Sequence, residues 1–354
     1  MSKRRYLFFV NAAYCYSIFR PLQEQILTRG DQVAWFFLSE LQPRLQPNEQ
    51  LLQSVQAVMS FQPDVVFTAG DWVPYFFPGA KVQVFHGIAR NKRGASSEDE
   101  SDHYRVRGWF DLYCTHAARD TEKFTELAAQ YGTFAVAKTG WPKLDALMGF
   151  AGQSKPSVRG ADIPTVFFAS TFSPSITAAP VLVDAIKKLV ETGRWRFKVT
   201  LHPKMDEVTM AQYRSISLPG YEFIEPENDL FASMAEADLM LCDTSSIMYE
   251  FMFLDKPVVT YRTRNPGSFL LDIDDTANLE TAMQQALKQP VQQLKAAREL
   301  CHELHEFTDG QSSKRVLDAV DMLLAEQLPK LKAKPFNLLR KLKLRAEMGY
   351  WKFF

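Results

Sequence analysis

The sequence predicts an α/β protein made of two consecutive open parallel-sheet domains, and three observations predict it. Short apolar runs alternate with amphipathic helical stretches along most of the chain. Those runs are rich in Val and Phe and apolar on both faces, as strands are when helices cover both sides of a sheet. The length, 354 residues, suits about two domains of ordinary size.

The elements follow in order. Tyr6–Val10 reads as a buried first strand. The preceding Met1-Ser-Lys-Arg-Arg5 gives it a faint look of a secretory leader, but the apolar segment stops at Asn11 without a convincing cleavage site. Ile18–Thr28 reads as a helix closed by Gly30, and Val33–Leu38 as a second strand. Val65–Thr68, Val82–Phe85 and Leu112–Thr115 continue the series, and a helical stretch runs from there to Ala129. After Lys143 small and polar residues follow through Gly149, Gly152, Ser154, Pro156, Ser157 and Gly160, so a linker is expected there. The alternation restarts with strands at Thr165–Ala169, Phe197–Leu201, Leu239–Cys242 and Val258–Tyr261. Helices are expected over Val181–Glu191, Asp229–Ala235, Ser246–Phe253, Leu279–Leu287, Val291–Leu304 and Ser312–Gln327. The expected domains are therefore 1–150 and 160–328, followed by a tail at 329–354. Ligands of such sheets bind where strand ends meet helix starts, and here also in a cleft between the domains.

Charge and composition exclude several functions. The chain carries 41 basic and 41 acidic residues. That balance hides an asymmetry, because residues 330–354 hold eight Lys or Arg against the single acid Glu347. The remaining 329 residues hold 33 bases and 40 acids. An acidic body is poorly suited to gripping nucleic acid. No apolar run approaches the roughly 18 to 20 residues needed to span a bilayer. Cys15, Cys114, Cys242 and Cys301 are far apart and form no CxxC pair, which points to a reducing compartment and away from a zinc site.

Three strand ends carry polar residues that a core does not need. In Val84-Phe85-His86-Gly87 the histidine follows a strand and precedes a glycine, with Arg90, Lys92, Arg93 and Gly94 just downstream. Imidazole titrates near neutral pH and can take a proton from an attacking hydroxyl, while the bases can neutralise phosphate. A histidine satisfied by loop carbonyls is the alternative. Val199-Thr-Leu-His202-Pro203-Lys204 repeats the arrangement in the second half. In Leu239-Met-Leu-Cys-Asp243-Thr244-Ser245-Ser246 a strand runs into a helix start, where free backbone N–H groups and hydroxyls favour an anion. Asp243 is expected to cap that helix, and Glu250, four residues after Ser246, to reach a ribose hydroxyl. An ordinary well-capped helix is the alternative. His302-Glu-Leu-His305 has the wrong spacing for a zinc helix and is expected on a solvated face. Asp272-Ile-Asp274 is a DxD, which can bind a metal–nucleotide complex, but with Asp275 it reads more readily as an acidic turn ahead of the helix at Leu279; Ser96–Asp102 reads as an exposed acidic loop.

Taken in order, these segments resemble the CDP-glycerol glycerophosphotransferase family of teichoic-acid primases and polymerases, over about Val82 to Asp321. The resemblance rests on Phe85-His86-Gly87 through Gly94, on Gly140-Trp141-Pro142-Lys143-Leu144-Asp145 and on Phe168-Ala-Ser-Thr171-Phe172. It continues through His202-Pro203, through Ala237 to Ser246 and on to Glu250 and Pro257, and ends at Asp309-Gly310, Ser313 and Arg315. It implies a GT-B architecture of two Rossmann-like domains facing across a cleft, with no essential metal or other cofactor. It further implies a hydroxyl of a lipid-linked or glycan acceptor attacking the β-phosphorus of CDP-glycerol, with CMP leaving. His86 is then the general base, and His202 stabilises the diphosphate. Lys204, Asp243, Thr244, Ser245, Ser246, Glu250 and Arg315 hold the donor, and Gly87, Lys92, Arg93, Lys143 and Thr171 supply further phosphate or acceptor contacts. Two positions depart from the family pattern: Ile88-Ala89 stands where Thr-Pro is common, and Ser173-Pro174-Ser175 where an arginine is common. A sugar-transferring enzyme using another nucleotide-activated donor stays open as an alternative, as does a catalytically silent nucleotide-binding scaffold.

The tail reads as a basic helix beyond Pro335. Leu338, Leu339, Leu342, Ala346 and Phe353 fall on one face, with Leu344 and Met348 interrupting the stripe. Its charge and its terminal Trp and Phe residues suit an anionic membrane surface, which places the protein at the cytoplasmic face of the cell membrane. Docking on the acidic body is the competing expectation.

Overall fold

The computed structural model describes residues 3–12, 14–88, 102–153, 163–225, 230–288, 290–328 and 330–351. It divides into two compact units, one of residues 1–146 and 304–354, the other of residues 147–303.

The first unit opens with β1 (Arg5–Val10), α1 (Cys15–Thr28), β2 (Gln32–Phe37), β3 (Gln50–Leu51), α2 (Val55–Phe61), β4 (Val65–Thr68) and β5 (Ala80–Gln83). It continues with β6 (Leu112–Thr115), α3 (Ala118–Tyr131), β7 (Ala135–Lys138) and α4 (Pro142–Gln153), inside which the division falls. Its seven strands are all parallel, in the order β3-β2-β1-β4-β5-β6-β7. The central strands β4 and β6 are buried at every position, whereas the edge strands β3 and β7 are partly exposed. That difference is the burial signature of a sheet with helices on both faces. Aromatic side chains fill the core. Phe8 stacks on Phe19 at 4.6 Å and meets Trp35 edge-on at 4.9 Å.

The second unit holds β8 (Thr165–Ser170), α5 (Ala179–Glu191), β9 (Arg196–Leu201), α6 (Glu207–Arg214), β10 (Tyr221–Phe223) and α7 (Phe231–Glu236). Next come β11 (Leu239–Cys242), α8 (Ile247–Met252), β12 (Val258–Tyr261), β13 (Leu271–Ile273), α9 (Leu279–Leu287) and α10 (Val291–Leu304). Its six strands are again all parallel, in the order β10-β9-β8-β11-β12-β13. The chain winds outward from β8 to one edge, then returns beside β8 with β11. The gap between β8 and β11 is thus the topological switch point, where open α/β sheets bind ligands.

Two boundaries differ from expectation. Residues 143–153 form most of α4 rather than a linker, while 154–162 lie outside the described residues. After Leu304 the chain returns to the first unit, so α11 (Ser312–Leu324), expected with the second domain, packs with the first. Its buried face, with Val316, Leu317, Ala319 and Val320, holds it there, and at the margin Asp321 pairs with Arg4 while Arg29 reaches Asp318 at 2.7 Å and Asp321 at 3.0 Å.

The tail ends in α12 (Leu338–Glu347), and it docks on the first unit. Leu344 joins the apolar core, and the buried Arg345 lies 5.4 Å from the Tyr75 ring and 5.3 Å from the Phe76 ring. Lys334 pairs with Asp111. The interruption of the stripe by Leu344 and Met348 is thereby explained, because the helix has two apolar faces. One face is docked, and the other leaves Leu338, Leu339 and Leu342 exposed, with Leu339 at 82% and Phe336 exposed just before the helix. Among the described residues no helix is long and apolar enough to cross a membrane.

Candidate active site

In the first unit the chemistry gathers at the C-terminal ends of β5 and β6. Phe85, just past β5, adopts φ +55°, a conformation that a bulky L-residue rarely takes. Its ring turns into the core beside Phe124 and Tyr113. The Trp141 indole N–H donates to the Phe85 carbonyl at 3.3 Å and holds that turn in place. The next residue, His86, is consequently exposed, stacked on Tyr14 at 5.1 Å between ring centres. A strained backbone kept by its surroundings next to an exposed imidazole is an arrangement met at reactive sites. A Cβ on Gly87 would meet nothing within 4 Å. Lys92 and Arg93 lie outside the described residues, as do Ser96 to Ser101 of the acidic loop.

The Gly-Trp-Pro-Lys-Leu-Asp segment and the late Asp-Gly segment, more than 160 residues apart, form one structure. The Asp145 carboxylate accepts from the backbone N–H groups of Ser312 (2.9 Å) and Ser313 (2.6 Å), capping α11. His305 is buried, not on a solvated face as expected, and its Nε2 accepts the Trp141 backbone N–H at 2.8 Å. Burial pushes the His305 pKa down to about 4. Buried His116 lies 5.4 Å from the Trp141 ring, and burial, reinforced by the neighbouring histidines, holds it well below its ordinary range. Gly140, at φ +78°, is required here: a Cβ would stand 2.5 Å from Ser312 Oγ and 2.9 Å from His305 Nε2. Lys143 lies 5.2 Å over the Trp141 ring. Arg315, expected among the donor-binding residues, belongs to the first unit, where it pairs with Asp309 and stacks 3.8 Å over Phe307.

In the second unit the strand register sets the site. Leu201 pairs with Ser170, and Cys242 with both Ala169 and Thr260. His202, Thr171, Asp243 and the loop after β12 therefore emerge at one level on four neighbouring strands. Asp243 does not cap α8 as expected. Fully buried, it accepts from the Thr171 N–H (3.1 Å), the Ala178 N–H (3.0 Å) and the Ser170 hydroxyl, closing the switch point from beneath. Burial raises its pKa, while those donors oppose the shift. The loop after β8 offers its backbone donors to the carboxylate, and α8 has only six residues, with no side-chain cap from Ser246. A helix that short supplies little dipole.

Above the buried carboxylate lie groups that reach solvent. The half-buried His202 accepts the Lys204 backbone N–H on Nδ1 at 3.0 Å, so a neutral ring carries its proton on Nε2 as an outward donor. Burial, then the Lys204 charge, lowers its pKa and favours the neutral form. The ring packs 4.3 Å from Phe172, over which Lys204 also extends. Thr244 Oγ1 accepts the Arg264 backbone N–H at 3.1 Å. Ser246 is exposed, and Ser245 and Glu250 are half-buried. Asp272 and Asp275 serve the backbone of Thr263 and Ala277, which accounts for the acidic turn. Among the described residues no group of three or more metal-ligating side chains occurs. A cavity of about 570 Å³, lined by Arg4, Arg5, Asp64 and Gly79, lies at the opposite, N-terminal strand ends of the first sheet.

Sequence reading missed Tyr14, His116 and Arg264. Arg264 was within reach of the rule that found His86 and His202, because it follows the Val258–Tyr261 strand closely.

Comparisons with known proteins agree with this fold. The family model of CDP-glycerol:poly(glycerophosphate) glycerophosphotransferase matches residues 50–322. No curated protein sequence matches the chain. Among solved structures, the wall teichoic acid polymerase TagF is 13% identical with a TM-score of 0.63, covering 91% of this chain and 90% of that one. A variant of that polymerase soaked with CDPG is 13% identical at a TM-score of 0.62, covering 92% and 89%. A putative UDP-N-acetylglucosamine 2-epimerase from Listeria monocytogenes is likewise 13% identical at 0.62, covering 92% and 98%. At such identities the likeness speaks for the fold, which is GT-B. With its model matched over most of its length, the chain belongs to the CDP-glycerol:poly(glycerophosphate) glycerophosphotransferase family and is a transferase.

Proposed function

We propose that this enzyme transfers glycerol phosphate from CDP-glycerol to a hydroxyl of a lipid-linked or glycan acceptor in cell-envelope polymer synthesis. The acceptor oxygen forms a bond to the β-phosphorus, the bond from that phosphorus to the bridging oxygen breaks, and CMP leaves. His86 takes the acceptor proton. Such transfers rest mostly on positioning and charge stabilisation, so outward N–H and hydroxyl donors are chemically sufficient. One observation carries the donor half of this reading: His202, Lys204, Thr171, Thr244 and Ser245 emerge together at the switch point of the second sheet. Thr171, Ser245, Ser246 and Glu250 supply hydroxyl and ribose contacts in this reading, and Gly87 and Lys143 further phosphate or acceptor contacts.

The exposed face of α12 extends the proposal to an anionic membrane surface at the cytoplasmic side. Exposed Leu338, Leu339 and Leu342 are accompanied by exposed Arg340 and Lys343, the pattern of an interfacial helix. Each basic residue near an anionic leaflet contributes about 1 kcal/mol.

The test is turnover with CDP-glycerol and an envelope extract. CMP release with glycerol phosphate in the product supports the reading, and His86→Ala should lower that rate by about 100-fold or more while the protein stays folded. Release of a nucleoside diphosphate from a sugar donor instead, or near-normal turnover by His86→Ala, would overturn the donor or the base respectively.

A further inference from the structure

The loop between β8 and α5 runs Thr171-Phe-Ser-Pro-Ser-Ile-Thr177 without a charged residue, although it borders the switch point. A diphosphate placed there needs cations from elsewhere. Lys204 supplies one from the β9 side. On the other side, beyond β12, the chain follows a path fixed by hydrogen bonds. Arg262 N donates to the Ile273 carbonyl (2.8 Å), Thr263 N to Asp272 (3.0 Å), Arg264 N to Thr244 Oγ1 (3.1 Å) and Asn265 N to Thr263 Oγ1 (3.3 Å). An exposed loop with its successive backbone donors engaged this way is a rigid mount for the Arg264 side chain.

From that mount the guanidinium crosses to the uncharged loop, where Nη2 lies 3.4 Å from Ser175 Oγ. Among the described residues it has no acidic partner. Arg194, Arg214 and Arg298 of the same unit are paired with Glu280, Glu225 and Asp255. A guanidinium presents five N–H donors in a fixed fork that matches phosphate oxygens. Arg264 thus combines a fixed backbone, unspent donors and neighbouring hydroxyls on Ser175 and Thr244.

We propose that Arg264 is a diphosphate-binding residue, neutralising the donor's phosphates from the β12 side as Lys204 does from the β9 side. The proposal rests on the assignment of the donor to the second unit, but it does not depend on the donor being CDP-glycerol. Its guanidinium stands beside Ser175, in a loop that carries no charge of its own.

The experiment compares wild type with Arg264→Gln by calorimetric titration with CDP-glycerol, CDP, UDP, CMP and inorganic pyrophosphate, with circular dichroism and an unfolding curve as the folding control. The expected result is a loss of about tenfold or more for whichever diphosphates the wild type binds, a smaller loss for CMP, and an unchanged unfolding midpoint. A wild type that prefers UDP to CDP-glycerol, with the same loss in the variant, refutes the CDP-glycerol reading and upholds Arg264. Equal diphosphate affinities in wild type and variant overturn the proposal, as does a wild type that binds none of these ligands.

Discussion

At the C-terminal edge of the first sheet, His116, His305 and Trp141 are sealed from water, and their contacts join segments more than 160 residues apart. At the same edge of the second sheet a carboxylate is the sealed group, while His202, Lys204 and Arg264 remain in reach of solvent. The first edge turns most of its polar groups inward, although His116 Nδ1 and Ser313 Oγ stay buried without a hydrogen-bond partner among the described residues, and it leaves His86 exposed on a strained turn. The second uses up only Asp243 and leaves a row of donors. Buried polar groups are costly unless satisfied, so a network that closes on itself gives rigidity, and one left open gives binding capacity. A base needs a single defined position and a diphosphate needs several donors, which fits the proposed roles of the two halves.

The comparison breaks first at the two buried anchors. Gly140→Ala places a Cβ at φ +78° against Ser312 and His305. The left-handed conformation and the overpacking together should cost about 2 to 5 kcal/mol. Asp243→Asn keeps one acceptor oxygen but turns an amide towards a backbone donor, and should cost about 1 to 3 kcal/mol. Urea unfolding of the two variants measures both. If Gly140→Ala left the midpoint unchanged, the closed first edge would not be the rigid element described.

Acid sharpens the contrast. His116 and His305 are held neutral by burial, so the unfolded chain binds protons that the folded chain refuses. Their contribution to stability is complete above the unfolded histidine value of about 6.5 and is lost as pH falls from there towards 4. For His305, the shift from 6.5 to about 4 corresponds to roughly 3 kcal/mol. His202, only half-buried, should contribute less. Unfolding midpoints measured from pH 7 to pH 4 should fall steeply in wild type and less in His305→Gln, which offers Trp141 an acceptor that does not titrate. Equal slopes would show that the sealed edge does not set the acid limit.

The difference between the edges also explains what was legible in the sequence. Interior strands such as Val65–Thr68 and Leu239–Cys242 stand out because every residue is buried and all but Thr68 are apolar. The edge strands β7, β10 and β13 escaped because they are three or four residues long and partly exposed; β10 and β13 are each interrupted by an acid, and the run of β7 is mostly small alanines. His86 and His202 are visible because a polar residue just after an apolar strand has no place in a core. His305 was misjudged because its burial depends on Trp141, far away in sequence, and local periodicity on α10 carries no record of that contact. Asp243 was misassigned for the same kind of reason: the nearest helix start was taken as its partner, whereas its donors come from 65 to 73 residues earlier.

The smallest expected effect concerns α12, which combines both edge types in one helix. Its docked face, with Leu344 and Arg345, is closed, and its outer face, with Leu338, Leu339 and Leu342, is open. Leu339→Glu should leave stability within about 0.5 kcal/mol, as surface substitutions generally do. It should nevertheless weaken co-sedimentation with phosphatidylglycerol vesicles about tenfold, or roughly 1.4 kcal/mol, because a charge replaces an apolar contact at the lipid boundary. Arg345→Ala should do the reverse, lowering the unfolding midpoint through lost packing on Tyr75 and Phe76 while the intact outer leucines keep vesicle affinity within about threefold. Vesicle binding that ignores Leu339→Glu would remove the membrane from the proposal and leave α12 as a docked terminal helix alone. Binding that follows the two substitutions separately would show that one helix serves the fold with one face and the lipid surface with the other.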